Sequence, residues 1–412
     1  MDEHIEKLHS LSEQISGFIY PNEVELHWGL LVVLYPYITG LVAGAFILAS
    51  LEKVFRVKEV EPTYRLSMLT AFAFLLVAPL PLLAHLGHPE RSFEIFLTPQ
   101  FKSAMAMFGF VYAWYLMLVL LLEIWFEYRA DLVRWSREKK GLWKPVYWIL
   151  SLGSRDLSDK AIAFDRKAVY VITLIGIPSA FLLHGYVGFI FGSVKANPWW
   201  SSVLMPIVFL FSAMVSGIAL VLILYYLATM IRRQKPDMAC LNKLSEFLLY
   251  ALIIDLSLET LDFIHRLYES EESIEILSQL VVTKLFLSLT IVQILIGTIG
   301  PMVLLAGARF SHMAPELKRV SYFIAALLVQ VGIFSTRWNV VLGGQLFSKS
   351  LRGLTVYKPG LGGLEGVLAA LGLLILPFLI LLVLIKILPP WEEARGDGDP
   401  TDASKVAGAA AS

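Results

Sequence analysis

The sequence predicts an all-α polytopic membrane protein that crosses the bilayer about nine times. Hydrophobic residues make up 57% of the 412-residue chain and charged residues only 17%, with a mean hydropathy of +0.69. A soluble domain carries about a quarter charged residues. The apolar residues also come in long runs instead of amphipathic stripes, which places them against lipid. A membrane helix needs about 20 mainly apolar residues. Runs of that length fall at Trp28–Leu51, Tyr64–Leu86, Ser103–Phe126, Lys167–Phe191 and Ser201–Ile231. They continue at Leu244–His265, Ser278–Gly307, Lys318–Leu342 and Leu364–Leu388. Pro79 and Pro81 predict a kink in the second span, which neighbouring helices tolerate.

Orientation follows from the basic residues of the connections. With the N-terminus outside, the inner connections and tail hold about 23 Lys and Arg against about 8 on the other side. The segment Arg129–Lys167 contributes most, and its apolar middle, Trp143–Leu152, reads as a helix lying in the cytoplasmic interface. The expected topology is therefore N-out and C-in, across a bacterial or archaeal cytoplasmic membrane. The acidic stretch Glu269–Glu275 falls outside. The first twenty residues have no apolar core, which predicts no cleavable signal peptide. After Trp391 the tail lacks core-forming residues and is expected to be disordered. Gly40-x-x-x-Gly44 in the first span echoes Ala213-x-x-x-Gly217 in the fifth. Small residues at this spacing serve ordinary close packing, or they mark two related four-helix bundles.

Ionisable residues inside the apolar runs each cost about 2.5–3.5 kcal/mol, so each needs a reason. Asp255, Glu259 and Asp262 share one face of the sixth span. They form either a carboxylate path toward a mid-membrane site or a set of structural pairs, with Lys284 as one partner. Arg337, about 8 Å inside the eighth span, pairs with Asp255 or Glu259, or it polarises a ligand's carbonyl. Five histidines, His27, His85, His88, His184 and His265, fall on the outer half. A b-type haem would need two of them at matched depth, and only His184 lies well inside. A proton-exchanging site suits imidazole better. The single Cys240 excludes an iron–sulfur cluster held by this chain alone.

Five blocks in order give a more specific indication. The first span contains His27-Trp28-Gly29 and Tyr35-Pro36-Tyr37-Ile38-Thr39-Gly40-Leu41-Val42-Ala43-Gly44. The second ends in His85-Leu86-Gly87-His88-Pro89-Glu90-Arg91-Ser92-Phe93, and Ser103-Ala104-Met105 opens the third. His184-Gly185-Tyr186-Val187-Gly188-Phe189 and Arg337-Trp338-Asn339-Val340-Val341-Leu342-Gly343-Gly344-Gln345 follow. From Glu25 to about Gly363 this order resembles the NrfD/PsrC family of quinone-interacting membrane subunits. His85 and His88 stand where that family usually has Asp and Arg.

The resemblance implies two four-helix bundles, at 27–192 and 201–344, with about one extra helix in 345–390. Residues 1–26 would lie outside the membrane and 391–412 in the cytoplasm. A quinone, menaquinone or another, is implied near the non-cytoplasmic face, with no haem or iron–sulfur cluster in this chain. Implied partners are a periplasmic iron–sulfur subunit and a molybdopterin-type or multihaem cytochrome subunit, in membrane lipid and without nucleic acid. Longer members include menaquinone reductase and hydrogenase anchor subunits. By position, His27, Tyr186, Asp255 and Arg337 match the family's quinone-site residues, and Asn22 lies one residue from where an Asn is expected. Asp255, Glu259, Asp262 and His184 are candidates for a proton path. No metal ligands are expected. The expected function is a quinone-binding subunit of a respiratory oxidoreductase, with a proton-translocating module or a pure anchor as the rivals.

Overall fold

The computed structural model describes residues 15–102, 104–269 and 273–391. Ser103, part of the acidic stretch and the tail beyond Trp391 lie outside the described residues. Among them, eight helices are long and apolar enough to cross a membrane. These are Leu30–Lys53, Lys58–His85, Gly109–Glu138, Asp159–Gly192, Met205–Ile231, Phe286–Phe310, Pro315–Gln345 and Val367–Ile387. A further helix of 32 residues, Met238–Glu269, lies between the fifth and the next of these. Asp255, Glu259 and Asp262 break its apolar run. For numbering in chain order these nine helices are called the first to ninth spans, with Met238–Glu269, which the sequence alone reads as a span, as the sixth.

Local sequence explains one departure from straight helix. The second span breaks between Tyr64–Val77 and Leu80–His85, because Pro79 and Pro81 lack the N–H that would continue the ladder. The third turns from α to π geometry over Tyr115–Leu121, and the seventh is π over Phe286–Ile299. Such wide turns are rare and recur at functional sites. Within the expected Trp143–Leu152 segment a short helix forms over Trp143–Leu150. It exposes Trp148 and Ile149 and buries Tyr147. Tyr147 donates to the carbonyl of Ile387 at 3.0 Å, and Trp125 Nε1 donates to that of Leu150 at 3.1 Å. Both bonds fasten this short helix to neighbouring spans.

The first span is the hub, buried almost continuously from Leu30 to Ser50. Its broadest contact is with the fifth span. There the two small-residue repeats meet, and a Cβ on Gly44 or Gly217 would overlap the opposite backbone. The two halves are thus joined along one close seam. A second close crossing, Gly297 against Gly332, brings the seventh and eighth spans together. The ninth span packs on the second. A two-residue pairing of β1 (Ser16–Gly17) with β2 (Gly353–Leu354) lies outside the helices.

Candidate functional site

The end of the bundle where the first span begins is tied together by polar side chains from distant segments. Gln345 accepts from the Trp28 N–H at 3.0 Å and donates to its carbonyl at 3.1 Å. Tyr357 accepts from the Leu30 N–H at 2.8 Å. Two backbone donors left over at a helix start are thereby satisfied. Burial pushes the Tyr357 hydroxyl above its usual range, so it stays protonated at neutral pH. At the same end of the bundle, where the eighth span finishes, Trp199 donates to the Asn339 carbonyl at 2.8 Å and Trp200 to that of Val340 at 2.6 Å. Gly343 and Gly344 allow this approach. A Cβ at Gly343 would sit 2.9 Å from the Trp199 indole nitrogen, and one at Gly344 would overlap the Trp200 ring. Trp200 in turn stacks on Trp28, with centroids 5.2 Å apart.

One turn deeper lies a buried charge. Arg337 is fully enclosed and lies over the Phe209 ring at 4.1 Å. Its Nη2 reaches Ser212 Oγ at 2.5 Å, His184 Nε2 at 3.2 Å and the Phe209 carbonyl at 3.3 Å. Nε and Nη1 have no hydrogen-bond partner among the described residues, and neither has Asp255 Oδ1 or His184 Nδ1. Asp255 is 3% exposed, and with Glu259 it acts on the Arg337 charge through space rather than by direct contact. Buried ionic groups left incompletely bonded are costly and point to a role beyond packing.

Beside this group a cavity of about 490 Å³ opens between the sixth, seventh and eighth spans. Its walls include Leu256, Phe263, Val282 and Ile294, and its polar lining includes Glu259, Asp262, Gln293 and Asn339. Gln293 Nε2 donates to both Glu259 oxygens at 3.1 Å. Asn339 Nδ2 donates to Gln293 Oε1 at 2.7 Å, and Ser288 Oγ donates to Asn339 Oδ1 at 2.6 Å. Asp262 accepts from Arg266 Nη2 at 3.0 Å and from Ser202. The observed partners of Glu259 and Asp262 are thus Gln293, Arg266 and Ser202, where the sequence suggested Lys284. Gln293 sits in the π segment of the seventh span, where the wider turn changes which residues face the neighbours.

The remaining candidates belong to the first half. His27 and Asn22 are exposed at the bundle end. Tyr186 is half-buried on the fourth span, and its hydroxyl interacts electrostatically with that of Tyr35, as does Tyr112. The structure therefore gathers the candidates into two groups instead of one. Tyr186 lies with Tyr35 and Tyr112, whereas Asp255, Glu259 and Arg337 lie across the seam. His184 stands between the two, reaching Arg337 on one side. On the other, a Cβ at Gly40 of the first span would lie 3.2 Å from its ring. Two further histidines bond elsewhere: His85 pairs with Glu365 at 2.7 Å and His88 with Glu90 at 2.9 Å.

The family model described as polysulphide reductase, NrfD, matches residues 21–349. The chain belongs to the NrfD family. Across 91% of its length it is 32% identical to a selenate reductase subunit of Mesobacillus selenatarsenatis, covering 89% of that protein. It is 30% identical over 248 residues to a putative dimethyl sulfoxide reductase membrane subunit of Halobacterium salinarum, covering 52% of it. Protein NrfD of Escherichia coli is 25% identical over 213 residues, with 62% of that protein covered. The NrfD match takes in both groups of candidate residues and ends before the ninth span. Within this NrfD-family chain, the sequence had pointed to Asn339 and Gln345 only as members of a block, and not at all to Gln293, Ser212 or Tyr357. Uncharged polar residues carry little penalty signal in an apolar run, and only their contacts reveal them.

Proposed function

We propose that this NrfD-family protein is the membrane subunit of a reductase complex and exchanges electrons between a quinone, menaquinone in the first instance, and an iron–sulfur partner. The reading is carried by the tyrosine group of the first half. Tyr186 is half-buried at the helix surface beside the enclosed Tyr35, below the end where His27 is exposed. A quinone needs donors to its ring oxygens and an apolar setting for ring and tail, and His27 and Tyr186 supply donors at two depths. The names of the relatives, a selenate reductase subunit and a dimethyl sulfoxide reductase membrane subunit, support membership of a larger reductase. The basic inner connections support an orientation with His27 outside, facing the iron–sulfur partner and a further catalytic or cytochrome subunit.

Quinone extracted from the purified complex and quantified tests this directly. Tyr186→Phe and His27→Ala are each expected to lower quinol turnover about tenfold or more, with less quinone retained. Wild-type turnover in both, with no quinone extracted from the unaltered complex, overturns the reading. A second reading, proton translocation, is favoured by the cavity, which exposes Glu259 and Asp262 beside the incompletely bonded Asp255 and Arg337. An Asp255→Asn variant that stops proton movement but keeps quinone turnover would assign that role to the second half.

A further inference from the structure

The first half buries carboxylates of its own: Asp131 and Asp165 pair with arginines, whereas Glu123 is held by hydroxyls. Glu123 lies near the midpoint of the third span, Gly109–Glu138, and is fully buried. Tyr64 donates to its Oε1 at 3.0 Å and Thr173 at 2.7 Å. Its Oε2 has no hydrogen-bond partner among the described residues, and neither has the Tyr115 hydroxyl or Ser67 Oγ. All three residues are fully buried. Buried polar atoms left without partners call for exchangeable water or protons.

Polar groups continue on either side of Glu123 along the third span. One turn toward the end opposite His27, Glu127 accepts from Arg65 at 3.0 Å and pairs with Lys53 at 3.3 Å, with Glu52 beside that lysine. Arg65 also holds Asp131 at 2.9 Å, so the charged cluster reaches the edge of the bundle. Toward the His27 end, Tyr115 lies within electrostatic reach of Glu123 and opens the π segment Tyr115–Leu121. Tyr112 follows one turn further on, donating to the Leu75 carbonyl at 2.6 Å. Its hydroxyl interacts with Tyr35, and Tyr35 with Tyr186. Along the third span Glu127 and Glu123 lie about one turn apart, as do Tyr115 and Tyr112, whereas Glu123 and Tyr115 lie about two turns, roughly 12 Å, apart, so intervening water is needed to relay a proton between them.

We propose that Glu127, Glu123, Tyr115, Tyr112 and Tyr35 form a proton route through the first half, joining the end opposite His27 to the quinone donor Tyr186. The proposal rests on the quinone reading above. Reducing a quinone takes two electrons from the iron–sulfur partner and two protons; oxidising the quinol returns both. With electrons passing at the His27 end and protons passing at the other, each turnover moves charge across the membrane. Glu123 is the pivot because it is the one carboxylate of this route that is fully enclosed. Glu123, Tyr115 and Tyr112 act through the relay, not on the quinone.

The test uses the whole complex in oriented proteoliposomes, with menadiol as donor and external ferricyanide as the partner-side acceptor. A voltage-sensitive dye reports charge movement. The unaltered complex is expected to build a voltage. Glu123→Gln should slow turnover about tenfold or more and abolish the voltage while retaining its bound quinone, and Glu123→Asp should restore both. Should Glu123→Gln fail to assemble, Tyr115→Phe removes only an orphaned hydroxyl and should still lower the voltage per turnover. An unaltered complex that oxidises menadiol without voltage overturns the route, as do variants that match it in rate and voltage. Failure of the quinone reading looks different: the unaltered complex then neither yields quinone nor oxidises menadiol.

Discussion

At the scale of single residues, position within the bundle decides what a polar group does. Arg337 and Asp255 stand out in the sequence because a charge in an apolar run is costly, and the structure finds both enclosed and incompletely bonded. Glu123 carries the same cost but is hidden in the sequence. It lies four residues before Glu127 and close to Arg129, so it reads as the polar end of a span; the helix runs on to Glu138 and turns it into a midpoint residue. Tyr357 is the converse, a loop residue whose hydroxyl completes a helix start. Tyr357→Phe leaves the Leu30 N–H without that acceptor and should cost about 1–3 kcal/mol, measured as a lowered unfolding midpoint in detergent. Because burial keeps the phenol protonated, the loss should be the same from pH 6 to about 8.

At the scale of elements, several features of the spans follow from local chemistry. The prolines break the second span where the sequence predicts a kink. Other features depend on neighbours. The block Arg337–Gln345 is a helix end whose carbonyls accept two indoles, and the glycines are there to admit the rings. Gly344→Ala would push a methyl into the Trp200 indole. It should destabilise the fold by about 1–3 kcal/mol, visible as earlier thermal aggregation, without removing any group proposed to meet the quinone. The π segments in the third and seventh spans have no comparable signature in the sequence. They appear only once helix crossings such as Gly297 on Gly332 set which residues must face inward.

At the scale of the whole molecule, the first span joins the two halves, and His184 lies at that seam between Gly40 and Arg337. Any coupling between the tyrosine group and the acids of the sixth span has this residue in its way. The expected orientation puts His27 outside, and it is open to a direct check. In a Cys240→Ser background, Phe18→Cys should react with a membrane-impermeant maleimide added to intact cells, and Lys140→Cys only after lysis. Both positions are exposed in the structure. The reverse labelling pattern would invert the topology and the assignment of sides to both proton routes.

By itself the sequence determined that the chain is a helical membrane protein, roughly where its spans lie and which charges need explaining. Apolar length and the cost of charge in lipid are local properties, readable one segment at a time. The ordered blocks likewise carried the family. Only the tertiary structure decided that the candidate residues form two groups across a seam, that the repeats of the first and fifth spans meet each other, and that Glu123 is enclosed. Those facts depend on which helix faces which, and residues more than a hundred positions apart, such as His184 and Arg337, become neighbours only through packing.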